Sequence, residues 1–265
     1  MSQAAEHSGL VRLGMSGHVA TVTLARPEAM NAISGQMADE LAGGLLRAAA
    51  DPNAWVVVLH AEGEKAFCVG ADLKERNRLD DAGWLRNRIL IRSMFDTLRA
   101  LPQSTIASVF GFALGGGFEL ALNCDLIVAS EDAIFGLPEV RVGILPGGGG
   151  TQVLARKVGV ARAKELVLTA RRIGALEALE MGLVTRVVDQ ETLHKATMEL
   201  AEEICRSSPV AVREAKRAID RGFDVPLEQG LELEDLAWRR AVASEDRREG
   251  IAAFNEKRDP QWKGR

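Results

Sequence analysis

At 265 residues, 47% apolar and 26% charged, the chain is long enough to bury a substantial core and ordinary in composition for a globular protein. Its 33 basic and 37 acidic side chains leave a net charge of −4, which gives no global attraction to nucleic acid or an anionic membrane. Cys68, Cys124 and Cys205 lack CxxC spacing and His7, His18, His60 and His194 are scattered, so neither a disulfide frame nor a metal site is expected.

The N-terminus, MSQAAEHSGLVRL, has no basic region followed by a long apolar stretch, and no apolar run reaches membrane-spanning length. A cytoplasmic chain with reduced cysteines and no membrane contact is the expectation. Residues 10–13 and HVATVTLA (18–25) read as strands, the second closed by Arg26-Pro27. Ser34 caps a helix predicted to run to about Ala50, where Asp51-Pro52-Asn53 stops it. WVVVLH (55–60) is a continuous β-branched run, as expected for a strand covered on both faces. AFCVG (66–70) reads as another strand, and Asp72 with Glu75 resembles a capping box, which leaves Ala71 in the turn ahead of a helix. Taken alone, that is an ordinary capped turn. The charged helical region ends near Leu101-Pro102; its arginines at 76, 78, 86, 88 and 92 could meet a carboxylate of a bound ligand but equally form a solvated face, which charged helices favour.

TIASVFG (105–111) is the next strand, and after it Gly115-Gly116-Gly117 open a short apolar helix that carries Glu119. Glycines at a helix start expose backbone N–H groups able to hold an anion or a polarised carbonyl oxygen, but they equally suit a tight, closely packed turn. DLIVAS (125–130) and AIFG (133–136) follow as strands, then Glu139 between Pro138 and Val140. Gly143 to Gly148 has the glycine spacing of a phosphate loop but lacks the following Lys and Ser/Thr, and no GxSxG occurs, so nucleotide hydrolysis and serine-hydrolase chemistry are disfavoured. Two carboxyl groups in apolar, glycine-rich company would shift each other's titration if brought together, as acid/base work on one water requires. Strand and helix alternate up to VTRVVD (184–189), which argues for an α/β fold with mainly parallel pairing. Four helices are predicted beyond it, at about 191–206, 209–222, 227–243 and 245–257, with an apolar face at Leu227, Leu231 and Trp238 in the third. That tail is too thin to hold a core alone and should pack on the α/β body or on other subunits.

HVATVTLARPEAMNAIS, AFCVGADLKE, GFALGGGFELALNCD, PEVRVGILPGGGGTQ and GIAAFNEKR occur in the order found in the enoyl-CoA hydratase/isomerase superfamily, which the chain resembles over nearly its whole length. The resemblance implies a crotonase-like spiral of repeated ββα units over residues 1–195 and a helical trimerisation region over 196–265. It also implies a homotrimer or a homohexamer of two trimers. By the same resemblance, the N–H groups of Ala71 and Gly116 form an oxyanion hole for an acyl-CoA thioester. Glu119 and Glu139 would hold the water that adds across the α,β double bond. Arg26, Lys65, Ala66 and Lys74 lie in CoA-contacting segments, and Phe254 and Lys257 would reach the CoA of a neighbouring subunit; each lysine is equally plain surface charge. No metal or separate cofactor is implied, since CoA is part of the substrate.

Having both glutamates favours hydration over Δ3,Δ2-enoyl-CoA isomerisation, for which similar members usually keep a carboxylate only near the second position. GADLKER, AKELVLTAR and FNEKRDPQWKGR look most like methylglutaconyl-CoA hydratase, a relative that also binds RNA through a lysine-rich helix. The corresponding stretch here, residues 34–55, holds Arg47 against Asp39, Glu40 and Asp51, so RNA binding is not expected to carry over.

Overall fold

The computed structural model describes residues 9–265; His7 and the start of the N-terminal segment lie outside them. In chain order the strands are β1 (Val11–Ser16), β2 (Val19–Leu24), β3 (Val56–Ala61), β4 (Ser104–Val109), β5 (Phe112–Leu114), β6 (Leu126–Ser130), β7 (Ile134–Gly136), β8 (Arg172–Gly174) and β9 (Arg186–Val188). They form a larger sheet in the order β1-β2-β3-β4-β6-β9 and a smaller one in the order β5-β7-β8. Only β1–β2 and β7–β8 pair antiparallel; β2–β3, β3–β4, β4–β6, β6–β9 and β5–β7 are parallel, as the alternating pattern requires.

The helices are α1 (Gly35–Ala50), α2 (Leu73–Arg76), α3 (Asp81–Arg99), α4 (Gly116–Leu122), α5 (Val153–Val158), α6 (Val160–Thr169), α7 (Ala175–Glu180), α8 (Leu193–Cys205), α9 (Pro209–Gly222), α10 (Leu227–Ala243) and α11 (Glu245–Glu256). Ser34 caps α1 as expected, its hydroxyl accepting the Met37 N–H at 3.1 Å. Met37, Leu41, Leu45 and Ala48 are buried at helical spacing, so one face of α1 packs on β1, β2 and α3. Valines 56–58 and Leu59 of β3 are all buried, which explains their unbroken apolar run.

Two expectations are corrected. AFCVG forms no strand; it makes two isolated bridges of opposite sense, Ala66 to Gly111 and Cys68 to Ala113. Gly111, at φ +52°, turns the chain between β4 and β5, so the facing residues cannot keep one register. The capping box is half formed. Asp72 accepts the N–H groups of Lys74 and Glu75, but its own N–H is taken by the Ile33 carbonyl. Glu75 instead accepts the Gly35 N–H at 2.9 Å, where α1 begins. The charged helical region accordingly breaks into α2 and α3, the latter capped by Asp80.

Beyond β9 the four helices fall within a few residues of their expected limits. Lys216 on α9 is tied to the sheet by Asp125 at 2.7 Å and the Gln103 carbonyl at 2.8 Å. In α10 only Ala237 is buried, and Leu227, Leu231 and Trp238 face outward from this chain.

Gly117 sits where α4 meets the Cys68 segment so closely that a Cβ there would lie 2.0 Å from the Cys68 carbonyl oxygen. Gly117→Ala is therefore expected to cost about 1–3 kcal/mol of stability, read as a lower urea midpoint at unchanged slope. An unaltered midpoint would show that the Cys68 segment yields freely.

Candidate active site

Gly70 has φ +88° and Gly115 has φ +55°, a region that side chains with a Cβ rarely adopt. These two turns lie against each other. A Cβ on Gly70 would come within 2.9 Å of the Gly116 nitrogen, and one on Gly116 within 3.8 Å of the Ala71 nitrogen. The N–H groups of Ala71 and Gly116 thus share one small space, and neither donates to an acceptor among the described residues. Gly116 is the first residue of α4, where no carbonyl four residues back is available.

Glu119 is 3% exposed, one turn into α4. Its Oε1 accepts the N–H groups of Gly148 at 2.6 Å and Gly150 at 2.8 Å. The glycine run that fails as a phosphate loop is therefore a cradle for a protein carboxylate. That loop is held in turn by Asn123, which donates to the carbonyls of Gly148 (2.9 Å) and Glu119 (2.6 Å). Arg99 donates to Asn123 Oδ1 at 2.8 Å and to the Gly148 carbonyl at 3.1 Å. A Cβ on Gly148 would meet the Phe95 ring at 2.3 Å, so glycine lets the loop seat on α3. Sequence reasoning missed Asn123 and Arg99, and the one signal for this cradle was four donors in a row facing a lone apolar-flanked glutamate.

Glu139 opens a short 3-10 turn, Glu139–Val142, with its carboxyl against Gly115: a Cβ there would lie 2.9 Å from Oε1. Its Oε2 is buried without a hydrogen-bond partner among the described residues. Burial, reinforced by the charge of Glu119, pushes Glu139 up to about 7, against the opposing pull of its own backbone N–H and of Arg76. Glu119 is also raised, mainly by burial, while the Gly150 and Gly148 N–H groups and the charges of Arg88 and Arg99 pull the other way. Both glutamates, Ala71 and Gly116 line one cavity of about 570 Å³.

The arginines divide. Arg76 and Arg88 line the cavity, whereas Arg86 and Arg92 lie outside it with Asp80 and Asp96 nearby, at 4.0 and 3.5 Å. Arg78 is exposed and does not line it, so the solvated-face reading describes three of the five. Arg26 donates to Asp72 at 2.8 Å and to the Ala32 carbonyl at 3.0 Å, which braces the turn carrying Ala71. Ala66 is buried in its bridge to Gly111, beside an exposed Lys65, and Lys74 is exposed on α2. Phe254 is 84% exposed and Lys257 ends α11; neither lines the cavity in this chain. Among the described residues no group of three or more His, Cys, Asp or Glu is placed to hold a metal ion. No helix among them is long and apolar enough to cross a membrane.

The sequence model of the enoyl-CoA hydratase/isomerase family matches residues 14–265. The short-chain-enoyl-CoA hydratase of Clostridium acetobutylicum is 41% identical, over 94% of this chain and 95% of its own. The mitochondrial methylglutaconyl-CoA hydratase of Mus musculus is 38% identical, over 98% of this chain and 81% of its own. The crystal structure of an enoyl-CoA hydratase from Bacillus anthracis superposes with a TM-score of 0.94 at 43% identity, covering 97% of this chain and all of the other.

A carboxyl whose folded value lies near 7 binds its proton more tightly in the folded than in the unfolded chain. Its contribution to stability is full below the ordinary carboxylate range and is lost as pH rises through about 7. Glu139→Gln should therefore gain stability relative to the parent protein between pH 5 and pH 8, in paired urea titrations. A pH-independent difference would place the Glu139 carboxyl in water.

Proposed function

Because the chain belongs to the enoyl-CoA hydratase/isomerase family and is an enoyl-CoA hydratase of the crotonase fold, we propose that Glu119 and Glu139 are its acid/base pair and that the Ala71 and Gly116 N–H groups are its oxyanion hole. The observation that carries this reading is the convergence of two partnerless N–H groups and two carboxyl groups on one cavity.

In the reaction, the thioester oxygen of a 2-enoyl-CoA accepts both N–H groups, which drains charge from the β carbon. Water lies between the carboxyl groups. Glu119, ionised and fixed by the Gly148 and Gly150 N–H groups on Oε1, takes a proton from water through its other oxygen. The water oxygen bonds to the β carbon, and the electron pair of the double bond moves toward the thioester oxygen. Glu139, held protonated near neutrality by burial, gives its proton to the α carbon. A proton passes from Glu119 to Glu139 before the next turnover, and the same steps reversed dehydrate the product. One oxyanion donor is typically worth about 3–4 kcal/mol of barrier. The reading asks for no metal or redox cofactor, because these groups supply every charge and proton the addition needs.

Lys65, Ala66 and Lys74 are proposed as CoA contacts, with Arg26 bracing the Ala71 turn from behind. The outward face of α10 supports assembly as a trimer, or as two trimers, through the helices of 196–265, which would bring Phe254 and Lys257 to a neighbour's CoA. A cytoplasmic setting agrees with the free thiols of Cys68, Cys124 and Cys205.

Crotonyl-CoA should lose its conjugated enoyl absorbance on addition of the protein. Glu119→Gln and Glu139→Gln should each slow this by about 10²–10⁴-fold while still binding CoA thioesters. Rates within a few-fold of the parent in both variants would remove the acid/base pair, and conversion of a 3-enoyl-CoA to the 2-enoyl product without hydration would make the protein an isomerase.

A further inference from the structure

The α2–α3 wall of the cavity holds cations that the addition of water does not use. Arg76, the last residue of α2, is half-buried, and its guanidinium lies 5.1 Å from the centre of the Trp84 ring. Its Nε is 3.4 Å from Oδ1 of Asn87, a side chain that is itself 7% exposed. Ring and amide together fix the plane of the fork and leave its terminal N–H groups free. Arg88 stands one residue beyond Asn87 on α3, with its guanidinium beside Gly147.

Neither Arg76 nor Arg88 forms an ion pair among the described residues, whereas Arg86, Arg92 and Arg99 on the same helix all do. Arg141 also lines the cavity, so three arginines face two glutamates there. Those glutamates do not balance them: three guanidinium groups line the cavity with two carboxyl groups, and Glu139 holds a proton through much of the neutral range. An acyl group without charge would displace water from these guanidinium groups and give nothing back. A carboxylate would take the planar fork of Arg76 with two parallel N–H···O bonds.

We infer that the acyl chain of the physiological substrate ends in a second carboxylate, received by Arg76 and assisted by Arg88 on the α2–α3 wall. The substrate is then the CoA monothioester of an unsaturated dicarboxylic acid. The inference rests on the hydratase reading for the position of the thioester, and it adds that the opposite end of the acyl group is anionic. The phosphates of CoA offer the same anion chemistry, so the test holds CoA constant and varies only the acyl end.

Saturated thioesters separate binding from hydration. Glutaryl-CoA and butyryl-CoA share the CoA moiety and differ by a terminal carboxylate, and titration calorimetry gives a Kd for each. The expected result is glutaryl-CoA bound at least about tenfold more tightly, with the preference falling to about one in Arg76→Met and falling partway in Arg88→Met. In parallel, kcat/KM for glutaconyl-CoA over crotonyl-CoA should exceed one and collapse in Arg76→Met. Equal affinities in the unmodified protein overturn the inference and need no variant. Equal loss of both ligands in Arg76→Met also overturns it, in favour of a CoA phosphate contact. Hydration of crotonyl-CoA by the same preparation reports separately on the hydratase reading, which survives if only the preference is missing and fails if no thioester is hydrated. Arg88 is on an exposed face, so Arg88→Met keeps the test open should Arg76→Met fail to fold.

Discussion

The structure depends on one close approach: the turn at Gly70-Ala71 against the turn at Gly115-Gly116. Both Gly70 and Gly115 have positive φ, and a side chain on Gly70 would occupy the space in front of the Gly116 nitrogen. The sheets exist on either side of this contact. β4 delivers the chain to Gly111, β5 continues from it, and the AFCVG segment sacrifices a regular ladder to run beside β5 and arrive at Gly70. Arg26, Asp72 and Glu75 then lock the turn to the start of α1. Two N–H groups that a packed interior would ordinarily satisfy are thereby held open toward a cavity, where a carbonyl oxygen can take both.

Given that approach, the two carboxyl groups are constrained from opposite sides. Glu119 is deeper, yet it is the one supplied with donors, by a glycine loop that Asn123 and Arg99 pin in place. Glu139 is less deeply placed, yet its Oε2 has no partner and its proton is held up to about 7. Hydrogen bonding, more than depth, distinguishes the two carboxyl groups. Burial raises Glu119, and the loop N–H groups are the chief counterweight.

Local signals made much of this legible. Ser34 with the stop at Asp51-Pro52-Asn53 bounded α1, the unbroken WVVVLH marked a covered strand, and the four tail helices lie within a few residues of where the sequence puts them. The strands β5 and β8 were not legible, whereas β7 and β9, equally short, lie within the longer apolar stretches AIFG and VTRVVD; the pairing of β5 and β8 is set by β7 between them. AFCVG misled because its β-branched and aromatic content is genuine, while its partner segment changes direction. The resemblance placed Ala71, Gly116, Glu119 and Glu139 in one cavity, and the geometry brings them there. Nothing in the sequence alone could divide the arginines. The break at residues 77–80 resets the helical phase between α2 and α3, so whether Arg76 and Arg88 face the same way depends on a turn angle and not on spacing.

The same reset explains why charge and chemistry meet in one place. Arg86 and Arg92 find Asp80 and Asp96 on the solvent side of α3, and Arg99 pairs with Asp96 while it also holds Asn123 and the Gly148 carbonyl. Arg76, half-buried, and Arg88, more exposed, line the cavity beside aromatic, amide and glycine surfaces with no carboxylate at ion-pair distance among the described residues. The Ala71 and Gly116 N–H groups, the Glu139 Oε2 and these two guanidinium groups are therefore left wanting partners around a single cavity. A satisfied interior would be more stable, and a chain folded only for stability would close these groups with one another. Fold geometry prevents it: the positive-φ turns at Gly70 and Gly115 fix the direction of the N–H groups, and the Trp84 and Asn87 contacts fix the Arg76 guanidinium. What remains is a cavity lined at once by N–H and guanidinium groups that seek an acceptor and by two carboxyl groups able to exchange a proton, a set that an acyl thioester with a further negative charge would satisfy.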